Sequence, residues 1–435
     1  MKTMNKLITT LLTFFFSAAM VHAQILMPAR DQQEPITLFN GTLHIGNGTV
    51  IEQGLVHFDK GRIVYAGKMD DEARRKYLKN EFRSVDATGK HIYPGLIALN
   101  TILGLNEIDA VRATRDYHEI GHLNMNVRSI VAYNPESVII PTVKFNGVLM
   151  AEIKPDGGRI SGTGSLVQLD AWNWQDAAVA TDVTMHLNWP ASSYSTGWWA
   201  EPGETVSQHW DAEMLELRKV FEEAKAYAAL KKPETVHLKY EAMRGLFNGS
   251  CKLMIHADDR IAITSALAFA TDYGIKPVIV GGADAWMVTA ELRKAGASVV
   301  ITRTHRLPGR QDDPIDLVYR LPKVLKDSGV LFSITDVNSW QQRNVAFQAG
   351  NAVAYGLSKE EALASVTLNP AKMLGVDKSC GSLEAGKDAT LIIAEGDLLD
   401  MKSNVISEAF IQGREIPMLN GQRMQYDKYR TKFGL

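Results

Sequence analysis

The sequence predicts an α/β protein, a (β/α)8 TIM barrel joined to a small β-sandwich that both ends of the chain build together. Three observations predict it. Residues 36–85 and 376–435 both alternate short apolar runs with Gly-, Asn- and Asp-bearing turns, the mark of β structure. The stretch between them holds eight apolar runs, near-continuous in Val, Ile and Leu, as in strands buried on both faces. Helical segments with apolar residues at three- and four-residue spacing separate the later runs. A doubly wound parallel sheet accounts for the same alternation and stays open as the alternative.

Taken in order, residues 1–23 read as a signal peptide. Lys2 and Lys6 precede an apolar stretch from Leu7 to about Met20, and Val21 and Ala23 supply small residues before Gln24. The apolar stretch is too short for a lasting transmembrane helix, so an exported chain with no membrane contact after processing is expected. The formal charge is −2, and loss of Lys2 and Lys6 with the leader leaves −4. No long basic block occurs, which argues against a nucleic-acid partner. The first sandwich part is expected over residues 36–92, the barrel over 93–375 and the second sandwich part over 376–420.

Within the barrel the candidate strands are "YPGLIALN", "GVLMAEI", "GSLVQLD", "VTMHLN", "KLMIHA", "PVIVGG", "ASVVIT" and "GVLFSITD". Helices fit "DRIAITSALAFATDYG", "DAWMVTAELRKAG" and "IDLVYRLPKVLKDSG". An insertion at 189–212 carries Trp189, Trp198, Trp199 and Trp210, and the amphipathic stretch "DAEMLELRKVFEEAKAYAALKK" follows. These tryptophans either pack the added helices or form a lid, a ligand wall or a subunit interface. Cys251 and Cys380 are the two cysteines; export permits a bridge, and two unpaired thiols are the plainer expectation. Residues 118–122 spell a literal HExxH, which on a helix places two histidines for zinc. Gly121 inside it and the lack of a surrounding amphipathic helix make a polar loop or a helix start after strand one the expected structure.

Four phrases together resemble the amidohydrolase superfamily, in particular its imidazolonepropionase-like branch: "ITLFNGTLHIGNGTVIEQGLVHFDKGRIVYAGK", "VDATGKHIYPGLI", "LSKEEALASVTLNPAKMLGV" and "GSLEAGKDATLIIAEGDLL". The resemblance runs over about residues 36–415. It implies hydrolysis of a non-peptide C–N bond, in a cyclic amide or amidic group, by a divalent metal such as zinc at the barrel mouth. The implied ligands are a His-x-His ending strand one, histidines ending strands five and six, and an Asp ending strand eight, with a carboxylated Lys on strand four in some members. Here the His-x-His positions carry Asn100 and Ile102, and strand six ends on Gly281 and Gly282. His256 and Asp336 match, and strand four offers His186 and no Lys.

The resemblance therefore makes His256 and Asp336 the candidate catalytic residues. Asn100, His186, Arg303 and His305 are the candidate substrate contacts. Two surviving ligands fall short of the three that a catalytic zinc normally takes from protein; a set of His186, His256 and Asp336 would complete one outside the family pattern. Three functions stay open: a hydrolase with an altered site, a catalytically silent homologue that binds a small molecule or pairs with an active relative, and a zincin-like peptidase. A homo-oligomer fits any of them.

Overall fold

The structure is a computed structural model that describes residues 27–195, 204–207 and 209–435. The expected leader with its cleavage site, residues 1–23, and Trp198 and Trp199 lie outside the described residues. Strands β1 (Ile36–His44), β2 (Val50–Asp59) and β3 (Arg62–Lys68) form an antiparallel meander. Helix α1 (Asp71–Tyr77), capped by the Asp70 side chain on Ala73 N–H, leads to β4 (Arg83–Asp86) and β5 (His91–Pro94), both parallel to β1.

The chain then enters the barrel with β6 (Leu96–Thr101), α2 (Ile140–Phe145), β7 (Val148–Ile153), β8 (Ile160–Gln168), α3 (Trp174–Ala177) and β9 (Ala178–Asn188). A small hairpin, β10 (Ser193–Ser195) with β11 (Glu204–Val206), opens the aromatic insertion. Helices α4 (Trp210–Ala228) and α5 (Leu238–Asn248) complete the insertion, and β12 (Lys252–Ala257) resumes the barrel. It continues through α6 (Arg260–Asp272), β13 (Val278–Gly281), α7 (Thr289–Ala295), β14 (Ser298–Thr302), α8 (Leu317–Asp327) and β15 (Phe332–Thr335). Helices α9 (Val345–Ala354), α10 (Lys359–Ala364) and α11 (Leu368–Leu374) precede β16 (Leu391–Ala394), β17 (Ile406–Ile411), β18 (Arg414–Glu415) and a last helix, α12 (Gly421–Phe433).

All eight apolar runs become strands of one sheet, in the order β6 to β9 and then β12 to β15. The barrel is nearly closed: Val366 O accepts from Ile97 N–H at 2.9 Å, Ser365 O from Ile334 N–H at 3.1 Å, and Leu99 O from the Thr335 hydroxyl at 2.7 Å. The doubly wound alternative is thereby set aside. One unit departs from the expected β/α repeat. Strand β8 runs antiparallel to both β7 and β9. The link from Ile153 to Ile160 is a turn through Gly157 and Gly158, both at positive φ, and is too short for the helical crossover that parallel neighbours need.

Alternation along the strands sorts the side chains. Ile97, Leu99, Met150, Leu166, Met254, Val278, Val280 and Val300 pack with Ala371, Met373 and Leu374 of α11, filling the interior and plugging its lower end. The opposite parity, including Leu149, Ala151, Leu253, Ile255, Val299 and Ile301, packs against the outer helices. Strands from both ends of the chain share the second sheet, where β16 pairs with β5. Within the insertion, Trp189 packs edge-on against Phe269 and Trp210 and donates to the Ser265 hydroxyl at 2.9 Å. Those two tryptophans therefore do the packing job. Cys251 and Cys380 are buried free thiols. Residues 118–122 form an exposed loop with Gly121 at φ +132°, so the HExxH spacing puts no two histidines on a helix face.

Candidate functional site

The interior parity that carries Met150 and Met254 low in the barrel carries Glu152 and His256 at the next step up, beside Thr184 and His186 on β9. Glu152 is fully buried and is the centre of the polar layer. Its Oε1 accepts from the Thr184 hydroxyl at 2.6 Å and lies 2.9 Å from His186 Nε2, while Oε2 accepts from Asn100 N–H at 2.7 Å. His186 Nδ1 in turn lies 3.0 Å from His256 Nε2. Four strands thus contribute to one chain of hydrogen bonds. Gly164 on β8 leaves the room: a Cβ there would stand 2.2 Å from Glu152 Oε1 and 2.3 Å from the Thr184 hydroxyl oxygen.

Asn100 reaches this layer through a local break in the strand. Its φ is +56°, and the β6–β7 register shifts between Ala98 and Thr101. Asn tolerates that left-handed backbone better than most residues, and the shift aims its N–H at Glu152. Its Oδ1 is buried without a hydrogen-bond partner.

Electrostatics shift two groups of this layer. Burial alone would raise the Glu152 pKa, but His186, the Thr184 hydroxyl and Asn100 N–H outweigh it and hold the carboxyl below the usual range. Burial, helped by Lys154 and His186, pushes His256 well below the ordinary imidazole value. Lys154, just past β7, is itself buried and sits 3.1 Å from Asp156.

A second cluster forms at the ends of β14 and β15. Asp336 accepts from Val337 N–H at 2.7 Å and from Gln348 Nε2 at 2.8 Å, with Arg303 Nε at 3.6 Å. Burial raises its pKa against those partners. Gln348 Oε1 also accepts from His305 N–H at 2.8 Å, which ties the β14 loop to α9. Arg303 holds φ +79° at the strand end. Arg303 and the exposed His305 open onto a groove of about 760 Å³ that also touches Phe347, Asn351, Lys359 and Asp397.

The structure therefore brings His186, His256 and Asn100 into one network, and Asp336, Arg303 and His305 into another. No hydrogen bond or ion pair joins the two among the described residues. Sequence reasoning missed Glu152, Lys154, Thr184 and Gln348. The available signal was a carboxylate inside the otherwise apolar strand "VLMAEI", at the parity that faces the barrel interior.

The model of the amidohydrolase family matches residues 177–422, more than half of the chain. The chain belongs to the amidohydrolase family. It is 27% identical over 394 residues to an imidazolonepropionase of Mesorhizobium japonicum, covering 82% of this chain and 89% of that one. Among solved structures, an amidohydrolase from Thermotoga maritima superposes with a TM-score of 0.73 at 22% identity, over 88% of this chain and 99% of its own. A. niger ochratoxinase superposes at 0.53 with 14% identity, over 88% and 96%. At these identities the two structures speak for the fold alone. For this amidohydrolase-family chain the coarse class is a hydrolase of C–N bonds.

Proposed function

We propose that this chain recognises a small amide- or carboxylate-bearing molecule at the barrel mouth and does not hydrolyse it through a bound metal. The observation that carries this reading is the state of the donor set. Ile102 is apolar, Gly281 has no side chain, and Asn100 offers only a neutral oxygen. Both nitrogens of His186 are engaged, by Glu152 and by His256, and both Asp336 oxygens already accept hydrogen bonds. Among the described residues no three His, Cys, Asp or Glu side chains lie close enough to share one ion. These residues do not fit a catalytic zinc, which needs about three protein donors and an open position.

Magnitudes set a low ceiling on turnover without a metal. Acid–base catalysis by positioned side chains supplies about 10²–10⁴-fold, whereas enzymes typically reach roughly 10⁶-fold or more. A second reading keeps hydrolysis. The His186–His256 pair, backed by the Glu152 carboxylate, could take a proton from water attacking an activated cyclic amide. Its support is the 3.0 Å contact between the two rings.

A thermal-shift screen of small cyclic amides and N-acylated carboxylates tests the first reading. A ligand should raise the melting temperature of the wild type and lose that effect in His256→Ala or Arg303→Ala. Steady metal-dependent turnover of the same compounds would overturn it. The export of the chain, and its pairing with an active relative, belong to the same proposal and rest on the leader and on the altered donor set.

A further inference from the structure

We propose that the face built by α12 and the adjacent apolar groove docks on an anionic lipid surface. No side chain of α12 is buried. The helix is held to the body at its start, where the Thr142 hydroxyl donates to Gln422 Oε1 at 3.0 Å and Asn420 caps Arg423 N–H at 2.7 Å. Tyr426, Tyr429 and Phe433 follow Gln422 at steps of four, three and four, which puts them on one face of the helix. Each is at least half exposed.

The charges around that stripe are basic. Arg423, Lys428, Arg430 and Lys432 stand against Asp427 alone, on a chain whose overall formal charge is −2. Arg423, Lys428 and Lys432 place their charged ends 5.5, 5.8 and 5.3 Å from the Tyr426, Tyr429 and Phe433 ring centres. Aromatic rings flanked by snorkelling cations suit a surface with an apolar interior and anionic headgroups. A second copy of the helix would bring like charges together, which disfavours self-pairing.

Gly421, the first residue of α12, also lines a groove of about 420 Å³ with Met27, Val138, Ile140 and Trp172. Met27, Val138 and Trp172 are more than half exposed, and Glu136 is the one exposed acid there. Met27 is the first described residue, and the apolar stretch from Leu7 to Met20 precedes it in the chain. The groove therefore lies where the described part of the chain begins. This proposal departs from the expectation of no membrane contact after processing, and it is independent of what the barrel mouth does.

The test is vesicle co-sedimentation of the chain starting at Gln24, which keeps every described residue. Vesicles of phosphatidylcholine alone are compared with vesicles containing phosphatidylglycerol. Binding should be at least about fivefold stronger to the anionic vesicles, since each basic side chain near such a surface is worth roughly that factor, and should weaken in high salt. The triple variants Tyr426→Ser/Tyr429→Ser/Phe433→Ser and Lys428→Gln/Arg430→Gln/Lys432→Gln should each reduce it about tenfold or more with an unchanged melting temperature. Equal sedimentation with neutral vesicles, or none with either, overturns the proposal. A concentration-dependent dimer lost in the same variants would assign the face to a second copy instead and overturn it as well.

Discussion

Glu152 decides the polar layer at the scale of single residues. It is a buried carboxylate with three partners from two strands, and removing it leaves His186 and Thr184 facing an empty acceptor position. Glu152→Ala should cost about 3 kcal/mol or more in urea denaturation, the range for breaking a buried pair. The pH dependence follows from the two shifted groups. His256 is held below its ordinary value of 6.5, so the unfolded chain takes up protons first as the pH falls, and stability declines below that value. Glu152 is also depressed, so its contribution is present above the ordinary carboxylate range and lost as the pH falls through it. Melting temperatures should therefore fall from about pH 7 toward pH 5, and His256→Asn should flatten that first part of the decline. A pH-independent midpoint in the wild type would contradict the assignment. His256, His186 and Asp336 were legible in the sequence because they sit at strand ends that the family resemblance singles out. Glu152 was not, because its importance depends on a barrel parity and on the space left by Gly164.

At the scale of elements, the ends of β6 and β13 explain why the family's histidines cannot simply be put back. Gly281 holds φ +100°, and a Cβ there would stand 2.4 Å from Asp258 Oδ1. A His at that position is strained by its backbone and blocked by a carboxylate. The combined variant Asn100→His/Ile102→His/Gly281→His should therefore melt several degrees below the wild type and still fail to bind zinc stoichiometrically, as read by calorimetric titration. Tight one-to-one zinc binding by that variant would show that only the side chains were missing. The strands themselves were legible, all eight, because apolar runs of that length between turn signals have few other uses. The direction of β8 was not: a buried strand reads the same whether its neighbours are parallel or antiparallel. Only the short link through Gly157 and Gly158 carried the distinction.

At the scale of the whole molecule, Asp170 fastens three parts together. Its carboxylate meets Lys144 of α2 at 2.8 Å, Arg414 of β18 at 3.3 Å and Ala29 N–H at 2.8 Å, so the barrel, the second sheet and the first described residues share one buried cluster. Asp170→Ala leaves two buried cations without their acid and should cost about 3 kcal/mol or more. Limited proteolysis should then cut near residues 27–35 well before the barrel. The general plan of barrel plus terminal sheet was legible from the β-rich ends, whereas this fastening joins residues hundreds of positions apart and left no local trace. The proposal for the barrel mouth stands or falls on whether it holds a catalytic metal. Metal content per chain, after growth with added zinc and manganese, tests it most directly when wild type is compared with His256→Ala, Asp336→Ala and His118→Ala. Far less than one metal per chain is expected in every sample; one metal per wild-type chain, lost with His256 or Asp336 and kept with His118, would overturn the metal-free reading.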